Sequence, residues 1–350
     1  MSLVGHDVLK VVYSPVFLEH KPPFPHPERP ERLEIAVKAL KKSGLEFKFT
    51  EPKPAQKQDL YRAHDPTYVD KIERYVETGM AMLDSDTYLS PGTLRSALTA
   101  AGAALDAAEA LKGDCTLLAL SRPPGHHAGK RGAAMGALTQ GFCIFNNVAV
   151  AAARLFELGL KRVAVIDFDA HHGNGTQEIF YSDPKLLHVD IHEDPVSLYP
   201  GTGFPTELGD GEGEGTKVNM VLPPGGGDDV YALALEEVVV PLVEEFKPEA
   251  LLFSAGFDAY KADGLTHLQA TEWTFARIGS IARRLTEGKT AVFLEGGYSL
   301  GLENGLPAFA SALCGLEMEY PLTKSPEPVF NMAKNYVYEL KALLKKYWKL

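Results

Sequence analysis

The chain has 350 residues, of which 45% are hydrophobic, and 46 acidic against 35 basic side chains give a net charge of −11. This composition is ordinary for a soluble globular protein, and its acidic balance argues against a general nucleic-acid-binding protein. The three cysteines form no CxxC motif, no signal-peptide region opens the chain and no apolar run reaches ~18 residues. We therefore expect a cytoplasmic protein with buried thiols and no membrane contact.

Short apolar runs and amphipathic runs alternate along most of the chain. Strands are predicted over residues 8–14, 115–120, 163–167, 186–192, 217–222, 250–254 and 290–294. Helices are predicted over residues 27–42, 65–79, 93–111, 147–158, 228–246 (kinked at Pro241), 271–285, 307–313 and 329–348. Because alternating strands and helices build parallel sheets, we expect one α/β domain over residues 1–350. Its sheet would be open and mainly parallel, with helices on both faces.

The stretch from Val163 to Thr176 begins as a buried strand and ends in carboxylates, imidazoles and glycines. Asp167, Asp169 and His171 share one side if the extended period of two continues. An unpaired carboxylate is costly to bury, and ligands of parallel sheets bind at the carboxyl ends of strands. The stretch therefore predicts a metal site at a strand end.

Other strand ends carry unusual polar residues too. His126 and His127 follow the strand at 115–120, and Asp190 and His192 close the strand at 186–192. Asp258 and Tyr298 follow the next two strands. In a parallel sheet these ends gather at one edge, which predicts an active site there.

Asp169, His171 and Asp258 make a plausible set of three metal ligands. Catalytic zinc uses three protein ligands and leaves a position for water or substrate. Fe(II), Co(II) and Mn(II) also accept nitrogen and oxygen ligands. The alternative for a single Asp-x-His motif is a buried, hydrogen-bonded network that holds no metal.

The adjacent His126 and His127 suit general acid–base chemistry, because imidazole titrates near neutrality. Asp167 and Asn174 are candidates to orient them. The alternative is a surface loop with two incidental histidines.

Tyr298 follows two glycines, and its phenol stays protonated at neutral pH, so it can donate a hydrogen bond to an oxyanion. Ring packing is its commoner role. Two further aromatic residues beside glycines, Phe142 after Gly141 and Tyr199 before Pro200, could wall a narrow slot or belong to the core. Three other histidines are expected in loops at the rim: His20, His26 and His64.

Four of these segments, in this order, resemble motifs of the histone deacetylase superfamily, which includes deacetylase-like amidohydrolases, acetylpolyamine amidohydrolases and acetoin-utilisation proteins. They are Arg122-Pro123-Pro124-Gly125-His126-His127, Asp167-Phe168-Asp169-Ala170-His171-His172-Gly173-Asn174-Gly175-Thr176, Ser254-Ala255-Gly256-Phe257-Asp258-Ala259 and Glu295-Gly296-Gly297-Tyr298. The likeness runs from His20 to Tyr298 and implies an arginase/deacetylase-type fold. Details of the motifs look like the class II-like branch.

The resemblance also implies a role for each matching residue. It implies Zn²⁺ on Asp169, His171 and Asp258, and a structural K⁺ beside Asp167 with main-chain oxygens of Asp169, His171 and Asp190. It implies His127 as general base and acid, with His126 in support and oriented by Asp167, and Tyr298 as the transition-state donor. It implies an acyl-lysine tunnel lined by Gly141, Phe142, Tyr199 and Leu265.

The expected reaction is hydrolysis of N-acyl-lysine in a peptide, or of a small acetylamine, to a free amine and a carboxylate. Polyamine-selective relatives carry a glutamate seven residues beyond the zinc aspartate, where this chain has Leu265, so that selectivity is the alternative. A two-manganese arginase-type enzyme is a weaker alternative, because that enzyme needs a metal-bridging aspartate at the position of Gly173. A non-catalytic acyl-ligand-binding protein is a third possibility, and no oligomeric state is predicted.

Overall fold

A computed structural model describes residues 8–113, 115–286, 289–316 and 318–350. The first residues, in which the sequence has no signal-peptide pattern, lie outside the described ranges. None of the helices within those ranges combines the length and apolar character that crossing a membrane requires. Cys143 and Cys314 are buried thiols, as expected, whereas Cys115 is partly exposed.

Within the described ranges, eight strands form a central sheet in which every pairing of neighbours is parallel. They are β1 (Leu9–Val12), β2 (Phe47–Thr50), β3 (Cys115–Ala119), β6 (Val163–Asp167), β7 (Leu186–Glu193), β8 (Lys217–Leu222), β9 (Ala250–Ala255) and β10 (Lys289–Leu294). Their order across the sheet is β2-β1-β3-β10-β9-β6-β7-β8. A separate two-stranded hairpin consists of β4 (Ala128–Gly129) and β5 (Gly132–Ala133).

Helices connect the strands and cover both faces of the sheet. They are α1 (Glu31–Lys42), α2 (Lys57–Leu60), α3 (Pro66–Glu77), α4 (Thr93–Ala110), α5 (Asn147–Glu157), α6 (Asn174–Ile179), α7 (Asp228–Ala234), α8 (Val240–Phe246), α9 (Glu272–Thr286), α10 (Leu306–Leu313) and α11 (Glu327–Leu344). Short 3₁₀ turns lie at Pro15–Glu19 and Gly211–Gly213, and π-helical turns at Leu235–Val239 and Gly301–Gly305.

The sequence of β6 explains why the sheet has two covered faces. All five of its residues are buried, and successive side chains point to opposite faces. Val163 and Val165 join the apolar cluster that contains α4 and α5, whereas Ala164 and Ile166 join the cluster that contains α9, α10 and α11. The predicted open parallel sheet between two helical layers is thus confirmed.

Several element boundaries differ from the predictions for identifiable reasons. The helix expected from Pro27 begins at Glu31, because the residue before a proline, here Arg29 before Pro30, disfavours helical geometry. The helix expected over 228–246 is divided by the π-helical turn that ends just before Val240, and Pro241, which lacks an N–H, sits in the first turn of α8. Short elements of the described residues that were not predicted include β2, β4, β5, α2 and α6, since each is too short for a clear hydrophobic period.

Candidate active site

The central strands of the sheet deliver their polar residues to one edge. His126 and His127 follow β3, and Asp169 and His171 follow β6. Asp258 follows β9, while Tyr298 follows β10. Since β3, β10, β9 and β6 are successive neighbours, these residues converge as the sequence predicted.

Asp169, His171 and Asp258 point their donor atoms at one another. The Nδ1 atom of His171 lies 2.9 Å from Oδ2 of Asp258 and 3.1 Å from Oδ1 of Asp169. Burial opposes protonation of His171, but the charge of Asp258 and the hydrogen bonds of both carboxylates raise its pKa to about 10. A proton on this nitrogen lies between two buried carboxylates. A metal cation in its place would be attracted by the same two negative charges.

The second oxygens of both carboxylates are held by the backbone. The amide of Gly296 donates to Oδ2 of Asp169 at 2.7 Å, and the amide of Ala170 donates to Oδ1 of Asp258 at 3.0 Å. A Cβ at position 296 would lie 2.5 Å from Oδ2 of Asp169, so a glycine is required there. One possible ligand atom from each of the three residues lies within 4.8 Å of the other two. One imidazole nitrogen and two carboxylates fit a divalent metal such as zinc.

The two adjacent histidines have different partners and opposite pKa shifts. Nδ1 of His126 lies 2.9 Å from Oδ2 of Asp167, and Nδ1 of His127 lies 2.8 Å from Oδ1 of Asn174. Burial opposes the charge of His126, yet Asp167 and Asp169 raise its pKa well above the usual range. Burial and the charge of His126 lower the pKa of His127 well below that range. The pair thus offers one cationic and one neutral imidazole, with ring centroids 4.0 Å apart.

Tyr298 enters the site with its phenol protonated, because burial raises its pKa well above the usual range. The guanidinium carbon of Arg32 lies 4.8 Å from the centre of its ring, and Phe142 packs edge-on at 6.1 Å between centroids. Across the site, the ring of Tyr199 packs edge-on against His127 at 5.0 Å. Both aromatic residues are therefore next to candidate catalytic groups, as the slot hypothesis requires.

Gly141 allows this arrangement to close. Its φ is +51°, in the left-handed region. A Cβ there would lie 2.5 Å from Cδ2 of His127 and 2.7 Å from Cε1 of Tyr199. Any side chain at this position would therefore displace the histidine or the tyrosine.

Leu265, the remaining residue expected in the tunnel, is partly exposed, with 36% of its surface accessible to solvent.

A second group of buried donors lies behind the first. The side chains of Asp167, His188 and Asp190 bring their donor atoms within 4.8 Å of one another. Asp190 accepts a hydrogen bond from the amide of Gly173 at 2.8 Å and contacts Nδ1 of His192 at 2.6 Å. Two carboxylates in one buried cluster repel each other, so this place too favours a cation.

Two of the three histidines expected at the rim are core residues. His20 is 1% exposed, stacks on Tyr88 and faces Glu28 at 3.5 Å. His64 is 2% exposed and bonds the carbonyl of Gly129 and the amide of Asn146. Their loops lie beneath other segments, which sequence patterns do not reveal. Only His26 is partly exposed, and its ring packs against Phe142 at 4.6 Å.

Two charged residues beside Tyr298 were missed by the sequence reasoning. Arg32 is 1% exposed and donates from Nε to the carbonyl of Gly297 at 2.6 Å. Asp263 accepts the amide of Tyr298 at 2.6 Å. Arg32 falls in a charged run typical of an exposed first helical turn, and Asp263 falls in a Lys-Ala-Asp-Gly turn. Neither run carries a signal of burial.

Comparisons with known proteins agree with this geometry. A family profile described as the histone deacetylase domain matches residues 26–313. A probable deacetylase of Archaeoglobus fulgidus is 37% identical over 98% of this chain and 99% of its own length. A histone deacetylase-like amidohydrolase of Pseudomonas aeruginosa is 36% identical over 78% of this chain and 73% of its own. The crystal structure of the HDA15 HD domain superposes with a TM-score of 0.87 at 33% identity, covering 97% of this chain and 95% of that domain.

Proposed function

The chain belongs to the histone deacetylase family, and we propose that it is a zinc-dependent deacetylase that hydrolyses N-acyl-lysine amides or related acetylamines. The products are a free amine and a carboxylate. One observation carries the proposal: three candidate metal ligands, a neutral histidine and a protonated tyrosine converge at one sheet edge. We further propose that residues 1–350 form a single catalytic domain.

Asp169, His171 and Asp258 would hold the zinc. A zinc ion bound there supplies Lewis acidity, which activates water near neutral pH and polarises an amide carbonyl. Fe(II) or Co(II) would suit the same nitrogen and oxygen donors. A structural K⁺ ion is proposed near Asp167, with main-chain oxygens of Asp169, His171 and Asp190 as further ligands. The carboxylates clustered behind the zinc ligands support a cation at this place.

His127 is the proposed general base. The amide nitrogen of Asn174 donates to the carbonyl of Ala134 at 3.0 Å, so its oxygen is the atom that faces His127. His127 therefore carries its proton on Nδ1, which leaves Nε2 free to accept a proton from water. The same atom can return the proton to the leaving amine. His126, held by Asp167, stays cationic beside it and favours negative charge on the reacting atoms.

Tyr298 is the proposed donor to the oxyanion that forms as the carbonyl is attacked. Its hydroxyl keeps its proton because burial raises its pKa, and a preorganised donor is worth several kcal/mol in the transition state. Phe142 and Tyr199 would wall the tunnel for the aliphatic stem of an acyl-lysine. Gly141 leaves the space for both walls, and Leu265 would line the mouth.

The alternative substrate is an acetylpolyamine. Such a substrate is cationic beyond the amide and calls for an acidic side chain at the tunnel mouth. Leu265 stands where polyamine-selective relatives carry a glutamate. It is uncharged, and its aliphatic side chain suits the aliphatic stem of an acyl-lysine. This residue favours the acyl-lysine reading.

The test measures metal content and substrate choice together. We expect about one zinc per chain after reconstitution, lost in Asp258→Asn and retained in Asp229→Asn, a carboxylate that instead binds Ser325. We expect kcat/KM to be higher for an acetyl-lysine peptide than for N-acetylspermidine. If the zinc-loaded protein turns over neither substrate and no acyl-lysine with a longer acyl chain, the proposed deacetylase activity is refuted. A non-catalytic binding protein is then favoured.

A further inference from the structure

We propose that Asp263 is a positioning residue that fixes the reactive orientation of Tyr298, an inference that rests on the proposed function. Asp263 lies five residues beyond the candidate metal ligand Asp258 and is 7% exposed. It is not a member of the candidate metal-ligand group of Asp169, His171 and Asp258. The hydrogen bonds of its carboxylate go to the segment that carries Tyr298.

The carboxylate of Asp263 gathers four donors from residues 298–301. The amide of Tyr298 donates to Oδ2 at 2.6 Å. The amides of Ser299 and Gly301 each donate to Oδ1 at 2.9 Å, and the hydroxyl of Ser299 donates at 3.2 Å. Hydrogen bonds to an ionised acceptor are stronger than neutral ones. A single side chain thus defines the backbone path at and after the tyrosine.

The peptide unit between Gly297 and Tyr298 is held at both ends by opposite charges. Nε of Arg32 donates to the Gly297 carbonyl at 2.6 Å, while Asp263 accepts the Tyr298 N–H at the same distance. Gly297 has a φ of +108°, which gives the chain a sharp turn before the tyrosine. Asp263 also holds the amide of Ser299, so the peptide planes on both sides of the Tyr298 Cα are restrained, and together they set the Cα–Cβ direction of Tyr298.

The segment that presents Asp263 is shaped for this contact. Ala262 before it has a φ of +62°, and Gly264 after it has a φ of +113°. A left-handed alanine is disfavoured and persists only where the surroundings impose it. The amide of Asp263 also bonds the carbonyl of Tyr260 at 3.0 Å, which closes a tight turn. The turn links the metal ligand Asp258 to the backbone of Tyr298, so it sets the spacing of the two groups that would act on one carbonyl oxygen.

A double-mutant cycle separates positioning from general loop support. Asp263→Asn keeps the size of the side chain but removes its charge and replaces one acceptor by a donor. Because small misplacements of a reacting group cost up to about 10²-fold, we expect kcat to fall roughly 10- to 100-fold with KM changed little. In a Tyr298→Phe background the same change should cost less than about twofold, since there is no hydroxyl left to position. An equal loss in both backgrounds, a loss confined to KM, or no loss would overturn the proposal.

Amide hydrogen exchange gives a readout that does not need turnover. We expect Asp263→Asn to speed exchange in peptides that span residues 296–305, and Asp229→Asn to leave those peptides unchanged. Unchanged protection in Asp263→Asn would overturn the proposal even if the protein deacetylates nothing. If wild type shows no turnover, the proposed function fails, whereas exchange still decides whether Asp263 holds the Tyr298 segment.

Discussion

The Nδ1 atom of His127 lies 2.8 Å from the amide oxygen of Asn174, while its neighbour His126 is paired with a carboxylate instead. An amide oxygen accepts a hydrogen bond from the N–H of a neutral imidazole. Unlike a carboxylate, it carries no charge that would stabilise the protonated, cationic imidazole. This difference lets two adjacent, buried histidines hold different protonation states. The neutral one carries the base function in our account.

Replacing His127 by alanine should lower kcat by at least roughly 10²–10³, because general acid–base catalysis contributes about 10²–10⁴ and no other neutral imidazole among the described residues shares its position. Asn174→Ala should cost less, about tenfold, since the imidazole stays but its tautomer is no longer fixed. Steady-state kinetics on an acetyl-lysine peptide measure both. Retained turnover in His127→Ala would remove it as the base.

Replacing Tyr298 by phenylalanine should lower kcat by roughly 10²–10³ at nearly unchanged KM, because the lost hydroxyl acts on the transition state more than on the bound substrate. The ring contacts with Phe142 and Arg32 survive this change, so the thermal unfolding midpoint should hold. Near-normal rates in the folded variant are the outcome that rules out an oxyanion role.

Gly141→Ala should reduce kcat/KM by at least about tenfold, because its Cβ would lie within 2.7 Å of both His127 and Tyr199. Gly136→Ala is a matched control in the same loop. Gly136 also has a positive φ, of +83°, but a Cβ there would meet nothing within 4 Å. Both variants carry a backbone cost of about 1–2 kcal/mol, and only Gly141→Ala should lose activity. Equal activities would show that the close approach does not matter.

Leu265→Glu should shift substrate preference toward cationic acetylamines. A partly exposed ion pair is worth about 0.2–1 kcal/mol, so the kcat/KM ratio of N-acetylspermidine to acetyl-lysine peptide should rise by a factor between roughly 1.4 and 5. Leu265→Gln serves as the uncharged control and should leave the ratio near that of wild type. The same shift in both variants would mean that polarity, not charge, selects the substrate.

The parallel sheet and the convergence of the site were predictable from the sequence, because buried strands such as β6 end abruptly in carboxylates. Asp258 could be joined to Asp169 across 89 residues only by assuming that parallel strands share an edge. The burial of His20 could not be predicted, since it depends on Glu28 and Arg122 meeting in the core. The contacts of Arg32 and Asp263 could not be predicted either, because they depend on where the fold places the backbone of Gly297 and Tyr298.

The most direct test of the account is acetate release from an acetyl-lysine peptide by the same protein sample before chelation, after chelation and after zinc is restored. The account predicts turnover that is lost with the metal and recovered with zinc, in proportion to the zinc bound per chain. Turnover that persists at full rate in fully demetallated protein would contradict it.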